Sequence, residues 1–244
     1  MDTTQSTTPR KTSLPSGPKL LVQAFSLYKE NWAVIGGIAA IPFLVNTLSI
    51  FVAQLSVSSI IVFLLALAIG FLSYGALLTA VVQEGKPAGG IAGAYRNGAR
   101  MLFAYGWLSL LSGLATMGAY LLFIIPGIAI SIWLTLSPYV LFAENKRGLS
   151  ALLASYNYMK GYWWAVFGRI LFAGLLSLVL QFFITVLLSG FNVSSIIEGG
   201  AKSPALQLIG LINTYFIAMP LAAFYLYLLY RSLKEIKAGV SFQV

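Results

Sequence analysis

Few residues in this chain could do chemistry by themselves. The sequence of 244 residues contains no Cys, no His and only six acidic residues. Without Cys there is no disulfide, thiol nucleophile or thiolate metal ligand, and without His the commonest general base and metal ligand is missing. No phosphate-binding Gly loop, paired carboxylates or metal-ligand cluster appears in the pattern. We therefore predict a protein that is not an enzyme and that needs no cofactor or metal.

Three charged residues lie closest to the apolar segments of the chain. Glu144 ends one apolar segment, Arg169 lies about six residues inside the next, and Lys160 lies between them. An ion pair between Glu144 and Arg169 would hold the intervening segment against the other helices. Alternatively, Arg169 could bind a lipid phosphate through its planar guanidinium group or extend to the membrane interface. These residues are the candidates for lipid binding or ion pairing.

A second candidate group consists of amide side chains within the apolar segments. They are Asn46, Gln54, Gln181 and Asn213. Amides at membrane depth usually form hydrogen bonds between helices, each contributing roughly 0.6–2 kcal/mol. The alternative is that the four line a polar cavity for a neutral substrate. Amides dispersed to separate contacts favour the structural role, whereas a shared cavity favours transport.

The segments that carry these residues are too apolar for a soluble fold. The sequence is 59% hydrophobic and 9% charged, whereas an ordinary soluble domain is about 25% charged. A bilayer core of about 30 Å needs roughly 20 apolar residues in a helix. Pro126 and Gly127 are predicted to form a turn in an apolar run too long for one crossing. The fold class is therefore all-α and polytopic, and six spans are predicted: Ala33–Leu55, Ser58–Val82, Leu102–Ile125, Ile128–Ala143, Trp163–Leu188 and Leu206–Tyr230.

The basic residues predict the orientation of these spans. In a six-span arrangement, Lys202 lies on one side and the other fourteen Lys and Arg residues lie on the opposite side. The positive-inside rule makes the crowded side cytoplasmic, so both termini are predicted in the cytoplasm of a multi-pass cell-membrane protein. Residues 1–18 are predicted to be a disordered cytoplasmic tail, 19–238 a single membrane domain and 239–244 a C-terminal tail. The net charge of +9 then suits anionic lipid head groups and not nucleic acid.

Short amphipathic segments precede three of the spans. Apolar residues recur at helical spacing around Leu20 and Leu152 and, in a weaker pattern that glycines interrupt, around Ala94, as in interfacial helices. The strings AFSLYKENWAVIG from Ala24, AYRNGARMLFAYG from Ala94 and SYNYMKGYWWAVFG from Ser155 share a small residue, an aromatic residue and a later cation. They predict a three-fold repeat of an interfacial helix and a transmembrane hairpin, at a spacing of roughly 60–70 residues. Alternatively, any amphipathic helix that enters a bilayer has this pattern.

The block from Tyr120 to Leu171 resembles a known family. It is similar to the membrane domain that some bacterial proteins carry beside a glycerophosphodiester phosphodiesterase catalytic domain, and that also occurs alone. The matching features are the Ile-Pro-Gly turn at 125–127, Pro138, Glu144, the residues Ala151, Leu152 and Ser155, and the residues Lys160, Gly161 and Trp163. The resemblance implies a multi-helix membrane module close to lipid or head-group metabolism. The acidic metal ligands of the phosphodiesterase are missing from this sequence, so its activity is not implied.

Together these patterns favour a non-catalytic membrane module, which is a scaffold, an enzyme partner or a lipid-interacting protein. Its expected partners are membrane lipids with anionic head groups and a membrane protein. The alternative function is a transporter or channel for a small neutral or amphipathic compound. The absence of acidic and basic residues from the centres of the spans argues against proton coupling through buried carboxylates.

Overall fold

The protein is described by a computed structural model that covers residues 14–52, 58–188 and 204–240. The regular elements in these ranges are all helices. The first five are α1 (Gly17–Glu30), α2 (Trp32–Val52), α3 (Ser58–Val82), α4 (Gly90–Leu122) and α5 (Ile124–Leu134). They are followed by α6 (Ser137–Glu144), α7 (Leu149–Met159), α8 (Trp163–Leu188), α9 (Pro204–Ile212), a π-helical segment (Asn213–Ala218) and α10 (Met219–Val240).

Six helical stretches within these ranges are long and apolar enough to cross a membrane. They are α2, α3, α4, α5 with α6, α8, and the stretch formed by α9, the π-helical segment and α10, which we call span 6. The all-α class and the six predicted spans are therefore confirmed, and the chain is a multi-pass integral membrane protein. The orientation of its termini stays a prediction.

The ends of the predicted membrane domain lie close to the limits of the described residues. Helix α1 begins at Gly17 and α10 extends to Val240, so each helix continues slightly into a segment that we expected to be a tail. Residues 1–13 and 241–244 lie outside the described residues, as does Gln54.

The predicted turn at Pro126 and Gly127 is wrong in position. The chain reverses at Phe123, whose backbone is extended with φ −161° and ψ 155°, and both residues lie in the first turn of α5. A proline is tolerated there because its missing N–H has no partner within the helix. Gly127 is buried against the ring of Tyr120, and a Cβ on Gly127 would lie 2.3 Å from Tyr120 Cδ1. The glycine thus allows close packing of α4 and α5 just after the reversal.

The separate interfacial helix expected before span three is also wrong. Helix α4 runs without interruption from Gly90 to Leu122, so the amphipathic segment and the span are one helix. Gly98 was interpreted as an interruption, but it allows α4 to approach α3. A Cβ on Gly98 would lie 2.7 Å from the backbone nitrogen of Ala76. The other two interfacial helices are separate elements, α1 and α7.

The packing of the three amphipathic segments supports the predicted repeat. The small residues that begin the three strings, Ala24, Ala94 and Ser155, are each 0% exposed. Helix α1 packs on α10, the start of α4 packs on α3, and α7 packs on α5 and α6. Each amphipathic segment therefore contacts the second span of another predicted unit, and the three-fold repeat itself stays a prediction.

Three prolines lie within the spans, and a hydroxyl group donates to the carbonyl four residues before each of them. Proline has no N–H to donate to the carbonyl four residues earlier, which leaves that carbonyl free. The free carbonyls precede Pro42, Pro138 and Pro220. They accept hydrogen bonds from Tyr95 to Ile38 O (2.8 Å), from Ser137 to Leu134 O (2.7 Å) and from Tyr28 to Phe216 O (2.5 Å). Two of these donors, Tyr28 and Tyr95, belong to the amphipathic segments, so the hydrogen bonds before Pro220 and Pro42 are also contacts between elements.

Candidate functional site

Glu144 lies at the centre of a polar cluster where three elements meet. It is the last residue of α6, and the chain leaves the helix through Asn145 in a left-handed conformation. Its side chain is 11% exposed. It accepts hydrogen bonds from the hydroxyls of Tyr158 on α7 (2.7 Å) and Tyr230 on α10 (2.6 Å).

Two lysines complete the surroundings of this carboxylate. Lys146 Nζ lies 2.8 Å from Oε2 of Glu144, and Lys234 Nζ lies 3.0 Å from Oε1. Both oxygens are thus occupied by donors that favour the charged form. The cluster therefore holds α6, α7 and α10 together.

The phenol of Tyr158 stays protonated in this cluster. Burial raises its pKa above the ordinary value, and the hydrogen bond to Glu144 and its negative charge raise it further. The group is therefore a hydrogen-bond donor throughout the neutral pH range, as the short contact to Glu144 requires.

A second acid ties α10 to another span. Glu84, just after α3, forms an ion pair with Arg231, which also contacts Glu235 at 3.1 Å. Tyr227 donates to the carbonyl of Val82 at 3.2 Å. The end of span 6 is therefore joined to the ends of both α3 and α6. We call this part of the molecule, with Glu84, Glu144 and Arg231, the basic end.

Arg169 has different partners from those expected. Its Nε and Nη2 atoms donate to the carbonyls of Pro15 (2.7 Å) and Leu14 (2.9 Å), and Nη1 donates to Ala165 O at 2.5 Å. Within the described residues it forms no ion pair with Glu144, whose cations are Lys146 and Lys234. The guanidinium group instead holds the segment before α1 against α8. Binding of a lipid phosphate by Arg169 stays a prediction.

Lys160 is exposed and belongs neither to the cluster around Glu144 nor to the contacts of Arg169. Its carbonyl accepts a hydrogen bond from Lys237 Nζ at 2.8 Å, which joins the end of α7 to α10. The three charged candidates therefore do not form one site. The sequence pattern identified Glu144 but not its partners Tyr158, Tyr230 and Lys234. Tyr158 and Tyr230 lie 14 and 86 positions from Glu144, and neither spacing predicts a contact.

The amide candidates are dispersed as well. Asn46 donates to the carbonyl of Pro42 within its own helix at 2.8 Å, and lines a cleft of about 540 Å³ between α2, α3, α4 and span 6. Asn213 donates to the Oε1 atom of Gln181 on α8, and lines a different groove. Gln54 lies outside the described residues. The structure therefore does not bring the three described amides, Asn46, Gln181 and Asn213, into one polar cavity.

Unpaired cations are the main feature of the surface at the basic end. Seven of them are exposed and have no ion-pair partner in the described part of the chain: Lys19, Lys29, Lys86, Arg96, Arg100, Arg147 and Lys160. Glu84 and Glu144 are engaged by other cations, so they do not neutralise these seven. In the described ranges, no three His, Cys, Asp or Glu residues form a group that could hold a metal ion. The arrangement can attract anions by charge, over a broad surface.

Comparisons with known protein families, with curated proteins and with solved structures give no match for this chain. The fold therefore defines the class of this protein, a six-span integral membrane protein. Its membership of the family of phosphodiesterase-associated membrane domains stays a prediction.

Proposed function

We propose that this protein is a non-catalytic membrane module that binds anionic lipid head groups at its basic end. The observation that carries the proposal is the group of seven exposed cations without ion-pair partners. A Lys or Arg near an anionic membrane surface contributes about 1 kcal/mol to attraction. Several such residues around one end of the bundle would concentrate anionic lipid there.

The saturated carboxylate of Glu144 and the dispersed amides also favour this function. A scaffold needs rigid contacts between its elements, and Glu144 supplies them between α6, α7 and α10. The resemblance of residues 120–171 to a membrane domain that accompanies a lipid-metabolising enzyme is consistent with a role as the partner of such an enzyme.

Transport of a small neutral or amphipathic compound is the second candidate. It is favoured by the cleft of about 540 Å³ beside Asn46. It is disfavoured because Gln181 and Asn213 lie at another place in the bundle. Uptake of a neutral solute into proteoliposomes, reduced by Asn46→Leu, would support transport over the lipid-binding role.

The test of the proposed function is the composition of the lipid that the protein retains. The protein is extracted in polymer-bounded lipid discs from membranes of mixed phosphatidylglycerol and phosphatidylethanolamine, and the retained lipid is measured by mass spectrometry. We expect enrichment in phosphatidylglycerol that falls several-fold in the variant Lys86→Gln, Arg96→Gln, Arg100→Gln. The control is Asn157→Gln, an exposed neutral substitution on α7. Equal lipid composition in wild type, triple variant and bulk membrane would reject the proposal.

A further inference from the structure

The cleft of about 540 Å³ between α2, α3, α4 and span 6 opens sideways from the bundle. Its outer wall includes Phe63, which is 65% exposed, and Leu67, which is 61% exposed. Its inner wall includes Tyr105, which is buried. These residues belong to helices that are long and apolar enough to span a membrane, so the mouth of the cleft faces the hydrocarbon.

The polar residues of this cleft lie near the middle of the membrane. Tyr74 is eight residues before the end of α3, and Asn46 is fourteen residues after the start of α2. Both of these helix ends lie at the basic end. The separations correspond to about 12 and 21 Å of helix, in a hydrocarbon core of about 30 Å. A compound dissolved in the centre of the bilayer therefore reaches the cleft directly from the side.

Aromatic rings and uncharged polar groups line the cleft. Five of its lining residues are aromatic: Phe63, Phe71, Tyr74, Tyr105 and Tyr215. The rings of Phe71 and Tyr105 are stacked, with their centroids 4.5 Å apart. No Lys, Arg, Asp or Glu is among the described lining residues. These walls therefore suit a neutral ligand with a flat ring.

One hydroxyl group of the cleft is free to bind a ligand. Thr214 is exposed, and its hydroxyl forms no hydrogen bond within the described part of the chain. A threonine in a helix can usually donate to a carbonyl three or four residues earlier, but Thr214 lies in the π-helical segment. Such segments often occur at functional sites. The other polar groups nearby are engaged, since Tyr215 lies beside the amide of Asn46, whose Nδ2 donates to Pro42 O.

The free hydroxyl and the depth of the cleft restrict the class of the ligand. A donor that faces hydrocarbon is unfavourable until an acceptor reaches it. A charged group or a free hydroxyl on the ligand would itself be costly at this depth. A carbonyl group on a flat ring supplies an acceptor without adding a donor, and an apolar tail keeps such a ring in the bilayer.

We propose that the cleft is a binding site for the ring of a membrane-soluble quinone. The ring packs against Phe71, one of its carbonyl groups accepts a hydrogen bond from Thr214, and the apolar tail leaves past Leu67 into the hydrocarbon. This site goes beyond the proposed function, since it takes a neutral compound from within the bilayer and not an anionic head group at its surface.

The test is photolabelling of the full chain in nanodiscs of phosphatidylcholine. The probe is a decyl benzoquinone with an azide on its ring, and labelled peptides are identified by mass spectrometry. The two competitors are a decyl trimethylbenzoquinone and the decyl trimethylbenzene that lacks its two carbonyl groups. We expect labelling of the peptides that contain Phe71 and Tyr215. By mass action, about a tenfold excess of the quinone competitor should reduce this labelling to about a tenth, whereas the hydrocarbon competitor should leave most of it.

Three variants test the contacts separately. Thr214→Val keeps the shape of the side chain and should reduce labelling about fivefold, as expected for the loss of one hydrogen bond. Gly70→Leu should block the cleft, and a Cβ at this position meets no atom within 4 Å, so the helices need not move. The matched control is Thr116→Val, which removes a hydroxyl from a different groove and should label as the wild type does.

Equal competition by the two compounds, or labelling that Gly70→Leu leaves unchanged, would overturn the proposal. The comparison of the competitors on the wild-type protein decides the question even if a variant fails to fold. Because the probe and both competitors are uncharged, this result is independent of the preference for anionic lipid at the basic end.

Discussion

At the scale of residues, the charges of this protein divide into two kinds. Glu144 is surrounded by two tyrosines and two lysines, and that cluster holds three helices together. The seven unpaired cations remain free to meet an external anion. The sequence predicted where Glu144 and the cations lie along the chain. The sequence did not predict which cations form ion pairs and which do not. Arg231 and Lys234 on α10 pair with Glu84 and Glu144, which lie on elements distant in the sequence.

The cluster predicts the effect of neutralising Glu144. Glu144→Gln should lower the free energy of unfolding by about 1–3 kcal/mol, since a hydrogen-bonded and largely buried charge is lost while two lysines remain. The control Glu235→Gln removes an acid that is 44% exposed and should cost less than about 1 kcal/mol. Thermal unfolding of the solubilised protein, followed by tryptophan fluorescence, measures both. Equal losses in the two variants would mean that Glu144 has no special structural role.

Tyr158 predicts a dependence of stability on alkaline pH. Its pKa is raised in the folded state by burial and by Glu144, so its contribution to stability is fully present below the ordinary tyrosine pKa of about 10. The contribution is lost as pH rises through the raised value. We expect stability to decline above about pH 10, and to decline less steeply in Tyr158→Phe. Parallel pH profiles for the two proteins would contradict the assigned hydrogen bond.

At the scale of elements, hydropathy predicted the six spans, and the helical spacing of apolar residues predicted α1 and α7. The turn at Phe123 was missed because Pro126 fits the first turn of a helix as well as a loop. The continuity of α4 was missed because Gly98 serves close packing against α3, and a sequence does not distinguish that role from helix breaking. Among the hydroxyls that compensate the prolines, those of Tyr28 and Tyr95 come from distant segments, and periodicity carries no information about them.

The proline contacts predict a non-additive pair of substitutions. Tyr28→Phe should lower the free energy of unfolding by about 1 kcal/mol, because the carbonyl of Phe216 loses its donor. In a Pro220→Ala background the new N–H can serve that carbonyl, and the same substitution should have little effect. Thermal unfolding of the four proteins measures the coupling. Tyr120→Phe, at an exposed ring, is the control, and a Tyr28→Phe loss of equal size in both backgrounds would reject the contact.

At the scale of the whole molecule, span 6 is the element to which the other units are attached. Its end meets Glu84 and Glu144. The carbonyl of Phe216, four residues before Pro220, accepts a hydrogen bond from Tyr28, and the first residue of the π-helical segment, Asn213, contacts α8. The helices around the basic end are thus joined to span 6 by ion pairs and hydrogen bonds.

The measurement that tests the central claim most directly is the thermal stability of the protein in nanodiscs of increasing phosphatidylglycerol content. A ligand that binds the folded state stabilises it, so the unfolding temperature should rise with the fraction of anionic lipid. The rise should shrink at about 1 M salt, where surface charges are screened within about 3 Å, and in the variant Lys86→Gln, Arg96→Gln, Arg100→Gln. An unfolding temperature that is independent of lipid charge at low salt would contradict the account.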